Sequence, residues 1–185
     1  MGKMNFATEL KGNRVDLRVH PVSFEHAATV YNSIDKNREH LAILQSTVEV
    51  YSPEDVFKDF LLGAVQRGLN EQSRYEYMVL RDNKYIGHLG VFNIDRKNAK
   101  VELGYWLYKE YTGNGYMSEA LALLEKHLFA IGVNRIEIKI GNINEESNKM
   151  AKCANYIYEG SLREFKTFRG DFYDLNIYSK LKSDV

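Results

Sequence analysis

The stretch "GYWLYKEYTGNGYMSEAL", residues 104–121, decides the fold. It runs from an aromatic strand pattern, through a turn with Gly113 and Gly115, into a helical pattern. The first N–H groups of a helix have no partner within the helix, and glycines leave them open to a ligand. A strand, a Gly-x-Gly turn and a helix start together favour a phosphate ester as the ligand. A tight turn that merely requires glycine is the alternative.

The residues after the turn exclude two common nucleotide-binding motifs. A P-loop requires a Lys-Ser/Thr pair after its second glycine, and none follows here. A dinucleotide-binding turn requires a third glycine three residues after Gly115, where Ser118 stands. The ligand of this turn therefore belongs to another class.

Composition limits the partners and the compartment. The 185 residues include 25 basic and 25 acidic side chains, so no net charge attracts nucleic acid or an anionic membrane. The single cysteine excludes an internal disulfide framework, and no run of 18 apolar residues predicts a membrane span. The N-terminal residues lack the apolar core of a signal peptide, so a cytoplasmic protein is expected. The five histidines lack ligand spacing, and no metal is predicted.

Hydrophobic periodicity predicts one mixed α/β domain over residues 1–185, with its core at about 14–181. Strands are predicted at 14–19, in a hairpin that turns at Asp82-Asn83, at 100–107, at 135–140, and in two final strands joined at Arg169-Gly170. Helices are predicted within 25–44, from Ser52 and Pro53 onward, from the glycine turn to Gly132, and over 144–156.

Three segments, residues 101–121, 133–165 and 170–181, resemble the GNAT superfamily of N-acetyltransferases. The likeness is greatest to the RimJ/RimL branch of ribosomal-protein N-terminal acetyltransferases. It implies a central twisted mixed sheet of about seven strands, flanked by helices and splayed at an acetyl-CoA site. It also implies acetyl-CoA as the acyl donor.

The resemblance implies which residues hold acetyl-CoA. The strand before the turn would hydrogen-bond the pantetheine, the turn would bind the pyrophosphate, and the "NxxS" of "NEES" would lie beside the thioester. The positions that match are Trp106, Leu107, Thr112, Gly113, Asn114, Gly115, Tyr116, Met117 and Asn144. Asn144 can cap its helix, bind pantetheine, or do both.

Three positions depart from the superfamily pattern. Glu110 stands where Arg or Gln is usual, and this acidic residue near a phosphate site predicts weaker affinity. Loss of function is not expected, because backbone N–H groups supply most of the phosphate binding. Asn155 replaces the usual glycine after the later helix, and asparagine also tolerates the left-handed cap conformation. Ala151 stands where many members carry a tyrosine general acid, which moves that role to Ser147.

The chemistry of acetyl transfer assigns two catalytic candidates. Glu102 alternates onto one strand face with Gly104 and Trp106, so it can accept the proton of the amine. The alternative for Glu102 is a solvated strand carboxylate. Ser147 can donate to the departing sulfur, and its alternative is a plain helix cap.

The predicted function is direct transfer of acetyl to a primary amine in a ternary complex, without an acyl-enzyme. A protein N-terminus is the leading acceptor; a small amine such as a polyamine or an aminoglycoside is the second. A non-catalytic acyl-CoA-binding sensor is the alternative from another class. No nucleic-acid or membrane partner is predicted, and a homo-oligomer remains open. Cys153 is interpreted as a packed or surface thiol, and His88 as a candidate for substrate contact.

Overall fold

A computed structural model describes residues 4–42, 52, 54–58 and 74–185. One sheet of eight strands lies at its centre, with the spatial order β1-β2-β3-β4-β5-β6-β8-β7. The strands are β1 (Glu9–Lys11), β2 (Asp16–Val19), β3 (Tyr75–Arg81), β4 (Lys84–Asp95), β5 (Lys100–Leu107), β6 (Arg135–Gly141), β7 (Ile157–Phe168) and β8 (Asp171–Leu181). Only β5 and β6 pair in parallel, which confirms a mixed sheet. The strand beyond the expected seven is β1, whose three residues are too few to show a period.

Helices flank this sheet as the pattern predicts. They are α1 (Phe24–Lys36), α2 (Arg38–Ala42), α3 (Tyr116–Ala130) and α4 (Glu145–Cys153), with a helical stretch at 54–58. Ser52 caps that stretch, because its Oγ accepts from the N–H of Asp55 at 3.2 Å while the Asp55 carboxylate accepts from the N–H of Ser52. Pro53 and the predicted continuation beyond 58 lie outside the described residues. No helix in the described ranges is long and apolar enough to span a membrane.

The predicted turns adopt the backbone conformation that their residues favour. Asp82 and Asn83 join β3 to β4 with φ of 49° and 60°, the left-handed pair typical of a two-residue hairpin. Arg169-Gly170 joins β7 to β8 in the same way. Asn155 has φ of 60° and ends α4 as a left-handed cap, so asparagine replaces glycine there without a change of geometry.

Strand β5 separates the two faces of the sheet. Val101 and Leu103 are buried with the apolar stripe of α3, which includes Leu121 and Leu124. Glu102, Gly104 and Trp106 therefore point to the opposite face. We call the first the helix face and the second the open face.

The sheet splays between β5 and β6, as predicted. The two strands pair only where Lys100–Leu103 meets Arg135–Ile138. Residues Gly104–Leu107 continue along β4, whereas β6 continues along β8. The separation leaves the β6-facing backbone edge of residues 104–107 outside the ladder between these strands and opens a gap between the starts of α3 and α4.

Candidate functional site

A cleft of about 460 Å³ lies at the gap. Nine of the eleven residues singled out from the sequence line it together: Trp106, Leu107, Thr112, Gly113, Gly115, Tyr116, Met117, Asn144 and Ser147. Asn114 and Glu102 do not. The structure thus brings most of the predicted residues into one cavity, and their individual roles remain predictions.

Eight further residues line the cleft without having been predicted. They are His40, Tyr105, Tyr111, Ser118, Glu146, Lys149, Met150 and Cys153. Several are neighbours of predicted residues in the same motifs, so a wider reading of those motifs would have included them. His40 comes from α2, far away in the sequence, and no local signal indicated it. Cys153 is exposed, in agreement with a surface thiol.

Backbone conformation explains the two glycines of the turn. Gly113 and Gly115 have φ of 75° and 76°, a region that residues with a side chain rarely adopt. Gly115 is the N-cap residue of α3 and offers no side-chain cap. The N–H groups of the first turn of α3 are therefore available to an anion in the cleft.

The carboxylate of Glu119 on α3 binds the residues before β2, and one of these, Arg14, contacts the glycine turn. Glu119 accepts hydrogen bonds from the backbone N–H groups of Asn13, Arg14 and Val15 at 3.0, 2.6 and 3.3 Å. Because these N–H groups bind the carboxylate and not a neighbouring strand, β2 begins at Asp16 and not at the predicted residue 14. Although burial raises the pKa of Glu119, these hydrogen bonds and the Arg14 guanidinium hold it below its usual value. The Nη1 of Arg14 also donates to the carbonyl of Asn114 at 3.1 Å.

Asn114 closes the turn rather than facing the cleft. Its Nδ2 donates to the carbonyl of Thr112 at 2.9 Å. Glu110, the acidic departure from the superfamily pattern, extends toward Lys84 at 3.7 Å and is two-thirds exposed. Its charge therefore does not lie in the turn.

Positive charge at the start of α3 comes from two arginines instead. The guanidinium carbons of Arg14 and Arg81 lie 5.3 and 4.8 Å from the ring centroid of Tyr116, the first residue of α3. Both arginines also have acidic partners, Glu119 for Arg14 and Asp82 for Arg81, so the backbone N–H groups of the helix start remain the main attraction for an anion.

Asn144 begins α4 and resolves the alternatives for Ser147. The Oδ1 of Asn144 accepts from the N–H of Ser147 at 3.1 Å, so Asn144 is the cap residue. Ser147 stands in the first turn and lines the cleft. Its hydroxyl is therefore not the helix cap, and its catalytic role stays a prediction.

Tyr105 presents a polar atom that the protein itself does not satisfy. Its side chain lines the cleft, and within the described part of the chain its buried hydroxyl has no hydrogen-bond partner. Burial raises the pKa of Tyr105, while the nearby Ser147 hydroxyl opposes that shift. A protonated, unpartnered phenol at a cleft wall is suited to donate to a ligand.

Glu102 lies on the open face with Trp106, as the alternation predicted, but outside the cleft lining. Its carboxylate is 2.6 Å from the Nζ of Lys139 on β6 and 2.9 Å from the Nδ2 of Asn93. The side chains of the ion pair are 21% and 28% exposed. Its assignment as the base therefore stays a prediction, with the cation of Lys139 as a neighbour that the sequence did not reveal.

A metal site is not apparent in the described ranges, where no group of three or more His, Cys, Asp or Glu side chains is placed to hold an ion. The cleft is instead built from backbone N–H groups, hydroxyls and apolar surface. Such a lining is suited to a long organic ligand that ends in phosphate.

Comparisons with known proteins agree with this geometry. Residues 16–155 match the model of the acetyltransferase (GNAT) domain. The ribosomal-protein-serine acetyltransferase of Escherichia coli (strain K12) is 28% identical over 169 residues, which cover 89% of this chain and 92% of that protein.

Two solved structures share the fold. The RimL ribosomal L7/L12 α-N-protein acetyltransferase in complex with coenzyme A has a TM-score of 0.86 at 24% identity, over 96% of this chain and 99% of that one. The microcin C7 self-immunity acetyltransferase MccE in complex with acetyl-CoA and AMP has a TM-score of 0.80 at 25% identity, over 91% and 93%. With the family model matching well over half of its length, the chain belongs to the GNAT family of acetyltransferases.

Proposed function

We propose that this acetyltransferase transfers acetyl from acetyl-CoA to the α-amine of a protein N-terminus. The observation that carries the acceptor is the match along 89% of the chain to a ribosomal-protein-serine acetyltransferase. The family match favours an enzyme over the non-catalytic sensor. A cytoplasmic location follows from the proposal, since ribosomal proteins are made there.

Three features of the cleft fit acetyl-CoA. The free backbone edge of residues 104–107 offers N–H and C=O groups to the amides of pantetheine. The left-handed glycines and the uncapped start of α3 offer N–H groups to the pyrophosphate. The hydroxyl of Tyr105, which has no partner among the described residues, can donate a hydrogen bond to an acceptor atom of the ligand. When bound, acetyl-CoA supplies the acetyl group as a thioester.

The chain's own residues supply the remaining chemistry. A backbone N–H of residues 104–107 polarises the thioester carbonyl, because a fixed dipole in a water-poor cleft stabilises developing negative charge. Ser147, which is not the cap of α4, donates a hydrogen bond from its hydroxyl to the leaving thiolate, which takes its proton from water after it is released. The amine attacks directly, without an acyl-enzyme.

Carboxylates on the open face are suited to receive an α-ammonium group. Glu76, Glu102 and Glu137 lie on this face of three different strands, and their side chains are partly exposed. Glu102, already paired with Lys139, serves here as an anchor for the acceptor. The N-terminus of a protein fits this arrangement, because its α-ammonium group can pair with a carboxylate while the extended backbone that follows lies along the open face.

A panel of acceptors tests the proposal. Short peptides that begin with Ser or Ala are incubated with acetyl-CoA, and the acetylated position is located by mass spectrometry. The matched control is the same peptide with a blocked N-terminus and an internal lysine. We expect acetylation of the α-amine only. A kcat/KM for spermidine or an aminoglycoside that exceeds every peptide's by about 100-fold would instead establish a small-amine enzyme.

The small amine stays as the second candidate for a specific reason. MccE, which covers 91% of this chain at 25% identity, is named for self-immunity to microcin C7 and not for a ribosomal protein, so the shared fold alone does not select a protein N-terminus. The same panel therefore decides between the two acceptor classes.

A further inference from the structure

Three histidines form a continuous chain of hydrogen bonds beside the cleft. The Nδ1 of His20 lies 3.0 Å from the Nε2 of His26, and the Nε2 of His20 lies 3.3 Å from the Nδ1 of His88. His20 uses its two opposite ring nitrogens, so the rings form a line and do not converge on a point. That geometry suits proton transfer rather than metal binding.

The two ends of this chain lie in different surroundings. His88 on β4 stands directly opposite Trp106 on β5, and the two rings stack with centroids 5.9 Å apart at 16°. Trp106 lines the cleft. His26 lies in the first turn of α1 and is only partly buried. The chain therefore leads from a wall of the cleft toward solvent.

His88 is itself partly exposed on the open face, next to the ring of Phe92. Gly90 and Gly104 are opposite each other on β4 and β5, so neither contributes a side chain there. A Cβ on Gly90 would stand 2.4 Å from the ring of Phe92, which covers the two glycines, and 3.1 Å from the Nε2 of His88. This nitrogen thus faces the strand segment that borders the splay, on the side opposite α3.

We propose that His88, His20 and His26 form a proton relay that removes the proton of the attacking amine. The N–H bond of the amine breaks as the C–N bond forms, and its proton binds the Nε2 of His88. The Nδ1 proton of His88 passes to the Nε2 of His20, and the Nδ1 proton of His20 passes to the Nε2 of His26. The Nδ1 of His26 then releases its proton to water, so each ring gains and loses one proton. After the product leaves, the same transfers run in reverse and restore the tautomers: the Nδ1 of His26 takes a proton from water, and the Nε2 of His88 gives its proton to water in the emptied cleft.

The electrostatics favour conduction over storage. Burial, with a smaller contribution from the charge of Arg74, lowers the pKa of His88 to about 4, and burial also lowers the pKa of His26. An imidazole with such a low pKa does not retain an added proton at neutral pH. Two further titratable groups lie nearby in the part of the chain that the structure describes. Tyr85 is edge-on to His20 at 5.6 Å, and burial raises its pKa, so it is neutral. Glu76 pairs with Arg74. Passing the proton along the line avoids a buried imidazolium.

The decisive variant is His20→Gln, because it interrupts the middle of the chain without touching substrate. The acceptor used is whichever amine of the panel gives the highest turnover, so the relay depends on acetyl transfer and not on the acceptor being a protein N-terminus. We expect kcat at pH 7 to fall about 100-fold, with the affinity for acetyl-CoA unchanged. The deficit should shrink above about pH 8, where an α-amine is already neutral. His26→Ala should lose activity similarly and regain it with added imidazole.

Two controls separate the relay from a structural role. His127→Gln alters a partly buried histidine outside the chain, whose Nε2 accepts from the N–H of Ala7, and should leave kcat unchanged. Nitrogen-15 NMR of the ligand-free protein should show ring-nitrogen chemical shifts typical of hydrogen-bonded histidines. The shifts of His88 should change in the His20→Gln variant. A wild-type kcat for His20→Gln between about pH 6 and pH 9, or a loss that is the same at every pH, overturns the relay. So does a 100-fold loss in Glu102→Gln alone, which would make Glu102 the base.

Discussion

Asn148 offers the sharpest test of how the fold places the start of α4. Its buried side chain donates to the carbonyls of Gly141 and Asn144 at 2.9 and 2.7 Å. Its Oδ1 accepts from the Nδ2 of Asn176 at 2.8 Å and from the hydroxyl of Tyr178 at 2.9 Å. One amide therefore ties the residues before α4 to β8, and through them positions the cap residue of the cleft.

Replacing Asn148 with Ala removes all four hydrogen bonds. At about 1 kcal/mol for each, and with partial rescue by water at the less buried partners, the free energy of unfolding should fall by about 3 kcal/mol. For a chain of this size that lowers the melting temperature by roughly 6 to 12 °C. Because Asn144 loses the contact to its carbonyl, the affinity for acetyl-CoA should fall about tenfold, or about 1.4 kcal/mol.

Thermal melting and isothermal calorimetry measure the two effects separately. Asn142→Ala is the matched control, since Asn142 is an exposed asparagine just before α4 and should change neither quantity. Asn148→Asp keeps an oxygen that accepts from Asn176 and Tyr178, but its second oxygen faces the carbonyls of Gly141 and Asn144. This variant should therefore be at least as unstable as Asn148→Ala near neutral pH, because a buried carboxylate oxygen would lie against two acceptors. A melting temperature for Asn148→Ala equal to that of Asn142→Ala would refute the reasoning. So would reduced stability with wild-type affinity for acetyl-CoA.

Three further predictions concern the cleft itself. Gly113→Val or Gly115→Val should weaken acetyl-CoA binding by about tenfold in calorimetry, because valine resists a positive φ; unchanged affinity in both would place the pyrophosphate elsewhere. Ser147→Ala should lower kcat about 10- to 1000-fold with melting unaffected, since Asn144 caps α4; lost stability with intact kcat would contradict this. Tyr105→Phe should leave the melting temperature of the ligand-free protein equal or higher, yet weaken acetyl-CoA binding about 5-fold; equal affinity would show that the hydroxyl meets no ligand.

Local chemistry made much of the fold predictable. The turn at Asp82-Asn83 and the left-handed Asn155 follow from side chains that tolerate positive φ, and each was confirmed. The extent of α3, from the glycine turn to a residue near Gly132, was also predicted and is confirmed. These features depend on neighbours in sequence. Strand β1 was missed because three residues cannot show a period.

Contacts between distant elements were not predictable in the same way. The carboxylate of Glu119 accepts hydrogen bonds from backbone N–H groups more than 100 residues away in the sequence. No spacing in "GYMSEAL" indicates these contacts. Tyr105 was passed over because its pattern fits an ordinary strand residue. Its significance comes from a missing partner, which only the packed structure reveals.

The surroundings of Glu102 change the argument about the base. Alternation correctly placed Glu102 with Trp106, yet it gave no information on which cation the neighbouring strand would bring to that face. Lys139 lies 2.6 Å from the carboxylate, so its ammonium group already donates to an oxygen that a base would have to offer to the substrate amine. His88, on the other side of Trp106, is neutral and connected to solvent through His20. In the function proposed above, the charged pairs of the open face receive the acceptor, and the three histidines remove its proton.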